Sequence, residues 1–136
     1  MKKITLSLLV ILMAFAAGIS MTSCSPTAGL NELTLDEITA ANMSGTYSCV
    51  TKTITYNSDG SVKSTDESDS VEKSAAAVKA SMLTSAAAIG LTSTVTSNVK
   101  GRVCANDKFT KIVIYAYTRD SDGKITAETI TTYRKK

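Results

Sequence analysis

Residues 69–90 read DSVEKSAAAVKASMLTSAAAIG, and the choice of fold turns on them. Val71, Ala75, Val78, Met82, Ser85 and Ile89 recur at alternating gaps of four and three, which places them on one stripe of a helix. Seven alanines between residues 75 and 88 raise the propensity further. Asp69 and Glu72 have the spacing of a capping box, and Gly90 stands where a helix is left through a positive φ. The pattern predicts a helix over 70–89, about 30 Å long at ~1.5 Å per residue. A helix with one apolar stripe needs a surface to bury it against, and the rest of the domain reads as strand.

Downstream, 91–104 alternates, with Leu91, Val95, Val99 and Val103 on one face and Thr92, Thr94, Thr96, Asn98, Lys100 and Arg102 on the other. Residues 109–118 are apolar on both faces: Ile112, Ile114 and Ala116 against Val113, Tyr115 and Tyr117. That pattern predicts a central strand covered on both sides. Asp120-Ser121-Asp122-Gly123 then turns the chain into a last strand over 124–134. Upstream, Thr34 and Glu37 form a capping box for a short helix ending near Asn42. Residues 46–56 are rich in β-formers, and Asn57-Ser58-Asp59-Gly60 turns them into a weak strand, 61–65, blunted by Asp66, Glu67 and Asp69. The two Ser-Asp-Gly turns are similar hairpin chemistry, not a repeat array. The expectation is an α+β domain: a curled antiparallel sheet of four to five strands with one long helix packed on a face. The alternative is a small lipocalin-like β-barrel, against which the alanine-rich segment and the absence of Trp both count.

The N-terminus carries an address. Lys2 and Lys3 precede an uncharged, largely apolar run over 4–19, which is short for a spanning helix and suits a signal. Met21-Thr22-Ser23-Cys24 follows and resembles the lipobox of bacterial lipoproteins. The resemblance covers residues 1 to about 26, with Met21 in place of the more usual Leu. It implies cleavage before Cys24, acylation of that residue, and attachment to the membrane through the N-terminal lipid. Two or more acyl chains hold a protein on a leaflet where one does so only marginally. The chain then divides into a signal peptide (1–23), a lipidated tether (24–33) and a single α+β domain (34–136). The residue after Cys24 is Ser25, and no acid appears before Glu32. By resemblance to enteric and Bacteroidetes-type lipoproteins, this implies an outer-membrane protein facing the periplasm.

Composition narrows the chemistry. The chain has 136 residues and no His, so the commonest general base and zinc ligand are missing. Once Lys2 and Lys3 leave with the signal, 13 basic residues face 12 acidic ones, and nothing steers the domain to nucleic acid. Ser70-Val71-Glu72-Lys73 and Ser97-Asn98-Val99-Lys100 match Ser-x-x-Lys without the other motifs that a penicillin-recognising enzyme needs. Asp120, Asp122 and Gly123 imitate part of a calcium loop, but Thr118 and Thr129 stand where acids are required, so a hairpin turn is the reading and no metal or cofactor is expected. In an exported domain, Cys49 and Cys104 are expected to form a disulfide, worth ~4 kcal/mol for such a loop, the alternative being two separate small core residues. Asp69-Ser70-Val71 resembles the Bacteroidetes O-glycosylation acceptor, with Ser70 carrying the sugar. Tyr115, Tyr117 and Tyr133 are candidates for a partner surface, the alternative being cross-strand packing under a helix. The functional expectation is a non-catalytic cell-envelope lipoprotein acting as a binding or assembly module; the alternative is a lipocalin-like carrier of a small ligand.

Overall fold

The computed structural model describes residues 29–136; the signal, the lipobox and Cys24 lie outside the described residues. The elements in chain order are β1 (Asn31–Glu32), α1 (Leu35–Ala40), β2 (Thr46–Tyr56), β3 (Val62–Glu67), β4 (Val71–Ser74), α2 (Ala75–Ile89), β5 (Ser97–Asn98), β6 (Gly101–Ala105), β7 (Lys111–Arg119) and β8 (Ile125–Lys135). The strands form one antiparallel sheet of eight segments in the order β1-β6-β7-β8-β2-β3, with β4 also paired to β2 and β5 to β6. The fold is α+β with one long helix. The sheet is open, which overturns the barrel alternative: β1 and β3 end the path and do not pair with each other. The sheet exceeds the expected four to five strands because β1, β4 and β5 are only two to four residues long.

The helix packs as its stripe requires. Ala75, Val78, Met82, Ala86 and Ile89 are its buried residues. They meet Tyr47 and Cys49 of β2, Val103 and Ala105 of β6, Ile112 and Ile114 of β7 and Tyr133 of β8 in one core, which Leu33, Ile38 and Leu91 complete. Gly90 closes the helix with φ 79°. Leu91 N–H reaches Ala86 O at 2.9 Å and Gly90 N–H reaches Ala87 O at 3.2 Å, a Schellman closure that only a left-handed residue makes without strain.

Two boundaries differ from expectation. The helix begins at Ala75, not at residue 70: residues 71–74 are taken by the sheet, pairing with Thr46–Cys49 of β2. Val71 therefore leaves the stripe and is 50% exposed. The cap is Ser74, whose Oγ accepts from Ala77 N–H at 3.2 Å, in place of the Asp69–Glu72 box. The strand expected over 91–104 shrinks to β5 and β6, a tight hairpin. Thr92 Oγ1 accepts from Val95 N–H at 3.2 Å and folds the first residues into a local turn. Val95 and Val99, expected inside, are 40% and 66% exposed. The short helix α1 keeps its capping box, Thr34 N–H to Glu37 Oε1 at 2.8 Å and Glu37 N–H to Thr34 Oγ1 at 3.3 Å.

Candidate partner surface

Side chains alternate across a strand, so the register sorts the sheet into two faces. Cys49↔Tyr133↔Ile112↔Ala105 is one cross-strand row and lies under α2. The rows between such positions lie on the opposite face. They are Val50↔Thr132↔Val113↔Cys104↔Glu32, then Lys52↔Ile130↔Tyr115↔Arg102, then Ile54↔Glu128↔Tyr117. Both described helices put their buried residues into the core on the first face. The second face thus carries a band of aromatic, aliphatic and charged side chains with no described helix upon it.

The centre of that face is shielded. Cys104, Val113 and Tyr115 are buried. The Arg102 guanidinium lies over the Tyr115 ring, 4.4 Å from its centroid, and its Nη1 stands 3.5 Å from Glu32 Oε2. The Tyr115 and Tyr117 ring centroids are 6.2 Å apart with planes tilted by 34°. Arg119 continues the array at 5.8 Å from the Tyr117 centroid. Tyr56 Oη donates to Glu128 Oε1 at 3.0 Å. Burial and the Glu128 carboxylate push that phenol up to about 12, and burial raises Tyr117 against the opposing pull of Arg102. Stacked cations and rings of this kind contribute ~0.5–2 kcal/mol each and hold the side chains in fixed positions.

The expected tyrosine trio divides. Tyr115 and Tyr117 share the band, whereas Tyr133 is buried beneath α2, where burial raises its phenol and Ser81 and Cys49 are its side-chain partners. Arg102, Arg119, Tyr56 and Glu128 belong to the band and were not singled out from sequence. The i, i+2 spacing of Tyr115, Tyr117 and Arg119 was visible, but Arg102, Tyr56 and Glu128 join only through the register.

The two similar turns also converge. Both lie at the Tyr56 end of the sheet, and Lys124 Nζ donates to Ser58 O at 2.9 Å between them. They enclose an open cleft of about 410 Å³ lined by Tyr56, Asp59, Arg119 and Lys124 among others. Asp120 Oδ1 accepts from the N–H groups of Asp122 and Lys124 at 2.9 and 3.0 Å, the work of a turn carboxylate.

Cys49 and Cys104 are both free and buried. The expected bridge is absent, and the register gives the reason. The row of Cys49 ends on Ala105, so Cys104 points to the other face, three strands away. At ~4.8 Å per strand the separation is about 14 Å, against the ~7 Å that a disulfide spans. Burial pushes the Cys104 thiol up to about 11, although the Arg102 charge opposes this. Ser70 is exposed in the bend between β3 and β4, not at a helix start. No family model matches the chain, and no curated protein or solved structure is similar to it.

Proposed function

We propose that this protein is a non-catalytic cell-envelope lipoprotein whose single α+β domain serves as a binding or assembly module. The observation that carries the reading is the apolar run over 4–19 followed by Met21-Thr22-Ser23-Cys24. Cys24 carries the acyl chains, the tether runs from there only to residue 30, since Asn31–Glu32 pair in the sheet and Leu33 joins the core, and the domain faces the periplasm from the outer membrane. Among the described residues no helix is long and apolar enough to cross a membrane. The band of Tyr56, Tyr117, Arg102 and Arg119, on which no described helix lies, is the working surface for a protein partner. Its aromatic and arginine content is that of interface anchors. Ser70, exposed beside an acid in an edge bend, is open to O-glycosylation.

The test is the fate of Cys24→Ser. Processing requires the thiol, so the variant should accumulate as a full-length precursor, and the mature membrane-bound form should vanish. A variant matured and sedimenting with membranes as before would remove the lipoprotein reading.

A further inference from the structure

The two edges of the sheet are treated differently. On one side, β6 is covered: β1 pairs with Cys104 and Ala105, Leu33 N–H bonds Val103 O at 2.8 Å, and β5 pairs with Gly101 and Arg102. On the other side, β3 ends the path, and among the described residues no strand lies beyond it. All six of its residues are exposed. Ser68 N–H donates to Thr51 O at 2.8 Å, so in the register Thr53↔Asp66 and Thr55↔Ser64 the backbone groups of Ser64, Asp66 and Ser68 face β2. The N–H and C=O groups of Lys63, Thr65 and Glu67 then point outward, by the alternation of an antiparallel ladder.

We propose that this edge is the interface with a second copy of the chain, paired antiparallel about a two-fold axis through Thr65. Hydrogen-bonded pairs must join outward-facing residues, which leaves few registers. An axis at Lys63 or at Glu67 sets like charges opposite each other. An axis at Asp66 faces two carboxylates, and one at Ser64 puts Lys63 against Thr65. Only the axis at Thr65 sets Lys63 opposite Glu67, twice by symmetry, with Ser64 facing Asp66. Opposite charges directly across an antiparallel pair are attractive, and like charges are not. The same residues that blunt the edge against unrelated strands thus select one register with their own kind. Three hydrogen-bonded pairs give six backbone bonds. The interface is isologous, so this contact closes on two copies. The inference goes beyond the lipoprotein reading and does not rest on it.

Disulfide trapping in the full-length protein in intact cells tests it. Cα atoms of a hydrogen-bonded antiparallel pair lie ~5.5 Å apart, within disulfide reach. Mild oxidation of Thr65→Cys should give a covalent dimer, with Ser58→Cys in the neighbouring turn as the background. Lys63→Glu and Glu67→Lys, each added to Thr65→Cys, should lower the yield at least about tenfold, because two attractive pairs become two repulsive ones. Combining the two reversals should restore it, which separates mispairing from misfolding. A Thr65→Cys yield no greater than that of Ser58→Cys would overturn the proposal. So would a double reversal that stays as low as the single ones, since the edge would then meet something other than itself.

Discussion

Gly101 has the closest backbone approach among the described glycines. It opens β6 with φ 155°, and a Cβ built there would stand 2.2 Å from Tyr115 O and 3.0 Å from Ile89 Cγ2. The contact is with backbone and cannot relax by rotating a side chain. Gly101→Ala should cost at least ~2 kcal/mol in chemical denaturation, more than most single substitutions. The thiols make a second test. Titration of the denatured, unreduced domain should find Cys49 and Cys104 both free. Cys104 also gives the domain an alkaline limit. Its folded pKa is raised to about 11 from 9.0, so the unfolded chain ionises first. The stability this represents is complete below pH 9 and is lost as pH climbs towards 11. Tyr56, at about 12, acts in the same direction above pH 10. Denaturation midpoints should hold between pH 7 and 8.5 and fall above 9, and Cys104→Ala should reduce the fall between 9 and 11.

At the scale of elements, the start of α2 shows what a sequence reveals and what it hides. The stripe of Val78, Met82 and Ile89 was legible because burial follows a 3.6-residue period. Val71 fitted the same period by coincidence. Whether 71–74 coil or extend depends on a vacant stretch of β2 far away in sequence, and no local pattern reports that. The same holds for Val95 and Val99, whose alternation was sound but had no neighbouring strand to serve. The Tyr115–Tyr117 pairing was legible from spacing. The separation of Cys49 from Cys104 was not, because it depends on strand order. Capping variants test the corrected boundary: Ser74→Ala should cost ~1 kcal/mol, while Asp69→Ala should stay within ~0.5 kcal/mol. Met82→Ala, at a fully buried site, should cost ~2–5 kcal/mol. Lys79 lies on the polar side of α2, where a simple helical wheel makes it dispensable. Its Nζ instead donates to Thr39 O and Ala41 O at 2.8 and 2.7 Å, satisfying carbonyls at the end of α1. Lys79→Ala should therefore lose ~0.5–1.5 kcal/mol by loosening the α1–α2 contact.

The whole molecule is a sheet with unequal faces. One face is filled by α2 and the apolar rows of β6, β7 and β8. The other carries charged and aromatic rows whose order, Lys52–Ile130–Tyr115–Arg102 and Ile54–Glu128–Tyr117, comes from the pairing of the distant β2 with the consecutive strands β6, β7 and β8. On the proposed reading the domain acts through a surface, and this face is where the fold concentrates arginine and tyrosine. The central claim is that this face, and not the helix side, meets the protein partner. A photo-reactive phenylalanine analogue in place of Tyr117, irradiated in intact cells, tests it most directly. The same analogue in place of Ala87, exposed on the outer side of α2, gives the comparison. The account predicts a discrete higher-mass adduct from position 117, absent from position 87 and lost when Arg119 is also changed to Ala. Equal adducts from both positions, or an adduct from position 87 alone, would contradict it.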